Sequence, residues 1–569
     1  MSTPANWSGD TLPLAGDTIQ FDATSNGKDA ILDAGFVQEQ VAKLLTTAGF
    51  TRTLTLSKNL AVTVLDLNGG TVTGAGELTL LAGGNSIWGA GGTMAGTGVT
   101  RISAGATLVI STSNPHVVDG RFIQNSGRVE WTDGNIVLNN NAVFFNELRF
   151  IDSTPANPGD RTIDTTTPQA PGIFYSDTNG TFEKTSTSRS FVDAEFYSVG
   201  SVEVQGGNLV LGGKSTNKGQ VNLAGGNLTF AAVMVGAGHT LDGASIIGPG
   251  QARLINGSLS IVNQVSAARF TLTDQGILTG TGTLTTTNTF LADSGSMTGT
   301  GSTVIAPGAN AFINGDVTVA RSFTNNGTLL WSNGNITLDQ GAVLANNLVM
   351  RIEGGPNFVM RDETPFPLPA AKFNNTGSLL ITQAVRSIWV GFTNTGTVTF
   401  SVGGDISFSR DYVQTAGTTI LDGGILRTNG RVENGPAGTI RAVANNSTII
   451  AALGVENSGL VEMAGDGAVR LAIQGAYTQS ASGRFKARLI GVTFDQLDVA
   501  GTVTMGGTLE VAFVGIPPAV ATNYTIMKYG SKVGTFTTVT KPPNTTWDPQ
   551  NTEGYIRFQP PPPDDEEAV

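Results

Sequence analysis

Phe323-Thr324-Asn325-Asn326-Gly327-Thr328-Leu329 is followed in the chain by Phe373-Asn374-Asn375-Thr376-Gly377-Ser378-Leu379. Phe392-Thr393-Asn394-Thr395-Gly396-Thr397-Val398 and Val455-Glu456-Asn457-Ser458-Gly459-Leu460-Val461 come next. Each copy reads apolar, any, Asn, any, Gly, any, apolar. Apolar residues alternate with others on both sides of the glycine, which is the period of a strand with one face inward. The Asn-x-Gly step bends the chain, either because φ is positive there or because the Asn side chain bonds its own backbone. Weaker copies surround Gly127, Gly180, Gly200, Gly219, Gly417, Gly438 and Gly483.

The spacing of these corners is regular. From Gly377 the steps to Gly396, Gly417, Gly438, Gly459 and Gly483 are 19, 21, 21, 21 and 24 residues. A second corner, Gly-x-Gly, recurs at Gly74-Gly76, Gly96-Gly98, Gly280-Gly282 and Gly299-Gly301. A period near 20 with two or three short strands is one coil of a β-solenoid. Coils stack about 4.8 Å apart, so successive Asn side chains can form an amide ladder. A longer period is superposed. Arg121, Asn125, Gly127, Trp131, Gly134, Asn135 and Ile136 recur as Arg321, Asn325, Gly327, Trp331, Gly334, Asn335 and Ile336, offset by 200.

The reading therefore places entry strands over 1–60, a solenoid of two related halves over 61–483 and a β-rich C-terminal module over 484–558. A disordered Pro/acidic tail follows over 559–569. Residues 153–172 and 354–369 break the pattern and read as loops thrown out at corresponding places. Side loops are where a solenoid carries recognition. Phe36 to Leu45 reads as strand despite some helical spacing.

Composition narrows the function. The chain has 75 Gly in 569 residues and no Cys, so disulfides and thiolate metal sites are excluded. Its net charge of −12, without a basic patch, argues against nucleic acid and against a polybasic membrane-surface segment. No apolar run approaches the roughly 18 residues of a membrane span. The N-terminus lacks an apolar export signal, so the expectation is a mature form or a fragment of an exported protein.

The chain resembles the pectin-lyase-like, right-handed β-helix surface proteins of bacteria, among them autotransporter passengers and filamentous-haemagglutinin-like adhesins. The resemblance rests on Asn6-Trp7 with Pro13 to Ile19, on the Gly-Thr-Met-Ala-Gly-Thr-Gly run ending at Gly98, and on the C-terminal part. There Phe494-Asp495-Gln496-Leu497-Asp498-Val499 precedes Gly506-Gly507-Thr508-Leu509, Tyr524-Thr525-Ile526 and Gly534-Thr535-Phe536. It implies a right-handed parallel β-helix, display outside the cell, and adhesion to glycans or a neighbouring cell surface. It implies no set of site residues.

Some relatives of this fold degrade polysaccharides, which needs two converging carboxylates. The only Asp-Asp pair, Asp564-Asp565, is in the tail, and neither His116 nor His239 precedes Gly. Both histidines read as exposed turn positions, and Asp495 and Asp498 as surface or turn residues. Trp131 and Trp331 occupy equivalent positions. Exposed, they would form a repeated sugar platform; otherwise they are stacked core aromatics. Arg361, Asp362 and Glu363 form the best charged cluster on a loop, and with the two tryptophans make up the candidate carbohydrate contacts. No cofactor, metal or catalytic residue is expected. The expectation is a non-catalytic, adhesin-like rod. The alternative is a polysaccharide-binding or polysaccharide-degrading β-helix.

Overall fold

The alternation turns into short parallel strands, each lying on the strand one coil earlier. The computed structural model describes residues 1–153, 159–234, 236–353, 358–383 and 386–561. They form an all-β parallel β-solenoid with coils of about 21 residues and almost no helix. Two compact units divide it, Met1–Thr287 and Asn288–Val569.

In the first unit stacking starts early. Thr18–Phe21 lies parallel to Gln40–Thr46, and Ala30–Leu32 to Thr53–Leu56. The stretch expected as strand from Phe36 is extended from Gln40. Ile123, Phe144, Phe174 and Phe196 then follow one another in register, coil on coil. Their rings pack as a column, with Phe144–Phe174 at 5.2 Å and Phe174–Phe196 at 5.7 Å. Phe150 and Phe182 form a second column and meet the first edge to face. Apolar burial and ring packing are the main attractive terms here.

Arg121 is fully buried in this unit. Its guanidinium donates to Thr100 Oγ1 (2.8 Å) and to the carbonyls of Val99 (2.9 Å), Gly76 (3.0 Å), Ala95 (3.1 Å) and Gly74 (3.3 Å). Burial pushes its pKa down to about 10. The arginine thus fastens two Gly-x-Gly corners by their backbone oxygens. Gly74 itself has φ +102°, a conformation that disfavours any side chain.

In the second unit the Asn-x-Gly copies build the expected amide ladder. Asn325 donates to Asn346 Oδ1 (2.8 Å), Asn346 to Asn375 (2.7 Å), and Asn375 to Asn394 (2.8 Å). The chain of amides continues through Gln414 (3.1 Å), Asn434 (2.9 Å) and Asn457 (2.7 Å). The second N–H of Asn325 reaches Val349 O at 2.7 Å, and Asn325 Oδ1 also accepts from Gly327 N at 3.1 Å. Every donor and acceptor of that buried amide is therefore used, which is what burial of a polar group requires. Gly327 is not at positive φ. A Cβ there would meet Ala309 O at 2.2 Å, so close approach of the coil beneath demands glycine.

The second unit ends differently. Arg484–Ile490 and Thr508–Val514 still stack in parallel. The last strand, Glu553–Phe558, runs antiparallel to both Thr522–Gly534 and Thr545–Pro549. The hairpin covers part of the final edge, one way sheets avoid edge pairing. Of the expected tail, residues 562–569 lie outside the described residues.

The two presumed loops contain strands. Arg161–Asp164 pairs with Ile136–Asn139 and Arg189–Val192. Val359–Asp362 pairs with Ile336–Leu338 and Arg386–Ile388. The true excursions are shorter, and the inserted prolines mislead because they flank a coil strand. Residues 154–158 and 354–357 of these stretches lie outside the described residues.

Candidate functional site

Trp131 and Trp331 are both fully buried, so neither is a sugar platform. Each indole donates to a backbone carbonyl, Gly134 O at 2.7 Å and Gly334 O at 2.9 Å. The Arg161 guanidinium lies 4.5 Å over the Trp131 ring, and Phe358 stacks on Trp331. Arg161 and Lys184 also close on the buried Asp152 carboxylate, with Lys184 Nζ at 3.4 Å. These charges sit inside the coil and hold the start of the first insertion.

The histidines correct the reading as turn positions. His116 and His239 are in strands and are buried. His239 Nδ1 meets Ser215 Oγ at 2.9 Å and Nε2 meets Ala231 O at 3.2 Å. A carbonyl can only accept, so Nε2 carries the proton and Nδ1 accepts from the hydroxyl. Burial pushes His239 down to about 4. Asp495 is likewise buried rather than superficial. It accepts from Arg488 Nε (2.7 Å), Arg488 N (2.9 Å) and Val469 N (2.9 Å). Asp498 does face outward and pairs with Arg470. Among the described residues no group of three His, Asp or Glu could hold a metal ion, and no helix is long and apolar enough to cross a membrane.

An outer aromatic column was not foreseen. Phe145, Tyr175 and Tyr197 are in register on the solvent side. Their centroids are 5.2 and 4.9 Å apart with planes 26° and 14° from parallel. The rings cover one another's faces and show edges to water, while Lys218 Nζ lies 5.9 Å from the Tyr197 centroid. A sugar needs an open face, so the column is a brace.

Asp193 gives the first unit its most unusual carboxyl. It lines a cavity of about 170 Å³ with Glu195, Lys214 and the insertion residues Thr165, Pro168 and Pro171. Its Oδ1 is buried and meets no hydrogen-bond partner among the described residues. Burial, then the nearby Asp164 charge, raise its pKa to about 6.

The charged cluster at 361–363 belongs to the second unit and sits on a strand rather than in a loop. Arg361 and Asp362 close the strand Val359–Asp362; Glu363 is the first residue beyond it. Arg361 Nε is 3.0 Å from Glu363 Oε1 and 3.0 Å from Thr337 Oγ1. Asp362 Oδ2 is 3.4 Å from Arg410 Nη2. The chain then leaves the coil as an excursion that exposes Phe366 almost completely.

One coil above, Met360 aligns with Ile388. The next residue along, after Arg361 below, is Trp389. It is 51% exposed, whereas Ile388 and Val390 on either side are 0% and 1% exposed. Trp7, Trp88, Trp131 and Trp331 all donate to backbone carbonyls. Trp389 has no such acceptor, and no ring or cation lies over it, among the described residues. Sequence reasoning passed over this residue, although the Ile388-Trp389-Val390 alternation signals it. Of the five residues singled out from sequence, Arg361, Asp362 and Glu363 lie on the coil directly below Trp389, and Trp131 and Trp331 do not. No protein-family model and no curated protein matches the chain.

Proposed function

We propose that the chain is a non-catalytic scaffold displayed outside the cell, of the adhesin type, whose coils carry recognition residues at fixed heights. The finer resemblance to autotransporter passengers and filamentous-haemagglutinin-like proteins belongs to this proposal. The observation that carries it is the amide ladder from Asn325 to Asn457. Such a ladder spends buried polar groups on holding coils in register, which suits a stiff support. Outer charges are used in the same way. Arg441 pairs with Glu462, Arg427 with Asp405 and Arg484 with Glu510, each between neighbouring coils. The test is attachment of beads coated with the chain to cells and to immobilised extracellular polysaccharide, with release of reducing ends followed in parallel. Attachment without release is expected. Failure to attach to either surface overturns the reading, and so does release.

A second reading, a polysaccharide-cleaving enzyme, has one observation in its favour. Asp193, raised to about 6, lines a cavity with a second carboxylate, Glu195. A carboxyl titrating near 6 is protonated in mild acid, the form a general acid needs. If that reading holds, Asp193→Asn abolishes the release of reducing ends.

A further inference from the structure

We infer that Trp389, framed by Arg361, Glu363, Asp362 and Arg410, is a stacking site for an uncharged pyranose of a glycan. The inference rests on the scaffold reading and names the ligand class that such a scaffold would present itself to.

Three observations lead to it. First, an indole that is 51% exposed sits between two buried neighbours on a strand-flanked corner. The backbone around it is fixed: Trp389 N donates to Met360 O at 2.7 Å, and Ser409 N to Ile388 O at 2.9 Å. The ring is held out from a rigid surface and lacks a partner of its own among the described residues. Rigid aromatic faces with an apolar body and a polar N–H suit a ligand that has both C–H faces and hydroxyls.

Second, hydrogen-bonding groups flank it on both neighbouring coils. Arg361 and Glu363 come from the coil below, and Arg410 from the coil above reaches down to Asp362. Strands stack about 4.8 Å apart, so the two flanking coils are about 9.6 Å apart and their polar groups border the indole on either side.

Third, the charges cancel. Two arginines are paired with two carboxylates, at 3.0 and 3.4 Å. Asp362 is only 7% exposed and offsets Arg410 from within, while a polyanion would meet Glu363 beside Arg361, and a polycation the reverse. An uncharged polyhydroxyl ligand takes donors and acceptors from both and leaves no charge stranded.

The test uses the full chain, fluorescently labelled, on an array of neutral gluco-, manno-, galacto- and xylo-oligosaccharides beside uronate and sulfated glycans. Wild type is expected to bind neutral spots. Trp389→Ala should weaken that binding at least about tenfold, and Trp389→Phe should retain most of it, because the ring face supplies the contact. Thermal melting of both variants should match wild type, since the side chain is exposed. Absence of binding to every neutral spot, binding confined to the acidic spots, or equal binding by Trp389→Ala overturns the inference. None of these results releases reducing ends, so the scaffold reading stands or falls separately on the bead and reducing-end assays.

Discussion

Arg410 Nη2 lies 3.4 Å from Asp362 Oδ2, although 48 residues separate the two in sequence. Arg410 follows the strand Asp405–Phe408, and Asp362 ends the strand Val359–Asp362. Between them lies the coil bearing Ile388 and Trp389. The pair therefore spans the tryptophan's coil. Arg410 is half exposed but the Asp362 carboxylate is only 7% exposed, so removal of Arg410 should cost about 1–3 kcal/mol, the range for a buried acceptor that loses a partner. Trp389 is the most exposed indole and no cation lies over it among the described residues, so Arg410→Ala should leave acrylamide quenching of tryptophan fluorescence unchanged. A rise in quenching would show that the pair shields the ring.

Interior amides carry a larger load. Asn394→Leu removes one rung: one N–H of Asn375 loses its acceptor while the other keeps Thr397 O, and Gln414 Oε1 keeps only the Thr419 hydroxyl. One buried N–H left without its acceptor should cost about 1–3 kcal/mol. Asn375→Ser should cost less, because the first half of the chain carries Ser176 at the corresponding place and Asn146 there donates to it at 3.3 Å. Urea unfolding of the two variants measures the difference. Equal losses would show that the amide pairing contributes nothing beyond volume.

Tyr175 stacks on Phe145 below and Tyr197 above. Its replacement by Ala loses two ring contacts, together about 1–3 kcal/mol, on top of the buried area. The corresponding outer residue in the second half is Asn374, between Ala345 and Thr393. Asn374→Ala should accordingly leave the denaturation midpoint almost unchanged. A comparable drop in both would remove the brace interpretation.

The histidine predicts an acid weakness. His239 titrates near 4 when folded and near its ordinary 6.5 when unfolded. The unfolded chain then binds the extra proton between these values, so stability is full above 6.5 and falls as pH drops towards 4. Thermal melts from pH 7 to pH 4 should show this loss, and His239→Gln should flatten it. A slope identical in the variant would assign the loss to other groups.

Asp193 acts in the opposite sense. Its folded value of about 6 lies above the ordinary 3.8, so the folded state holds the proton more tightly. That contribution is complete below 3.8 and is lost as pH rises through 6. Asp193→Asn should raise the melting temperature at pH 8, by about 1–2 °C, and change it little at pH 3.5. A rise of equal size at both pH values would point to packing instead.

The sequence by itself determined the architecture. Alternation around each Asn-x-Gly, with steps near 21, already implies stacked strands and an amide ladder, because both follow from local period and strand spacing alone. Even Trp389 was legible: apolar neighbours at Ile388 and Val390 put it outside, just as Val129 and Trp131 share the inside. The tertiary structure decided which paired groups meet. Arg410 and Asp362, or Asp193 and its cavity, come together only when coils with insertions of unequal length are stacked. Spacing along the chain carries no record of that stacking register. Burial of His239 was also hidden, because a strand tolerates His inside once Ser215 from the coil below and Ala231 from the preceding strand complete its hydrogen bonds.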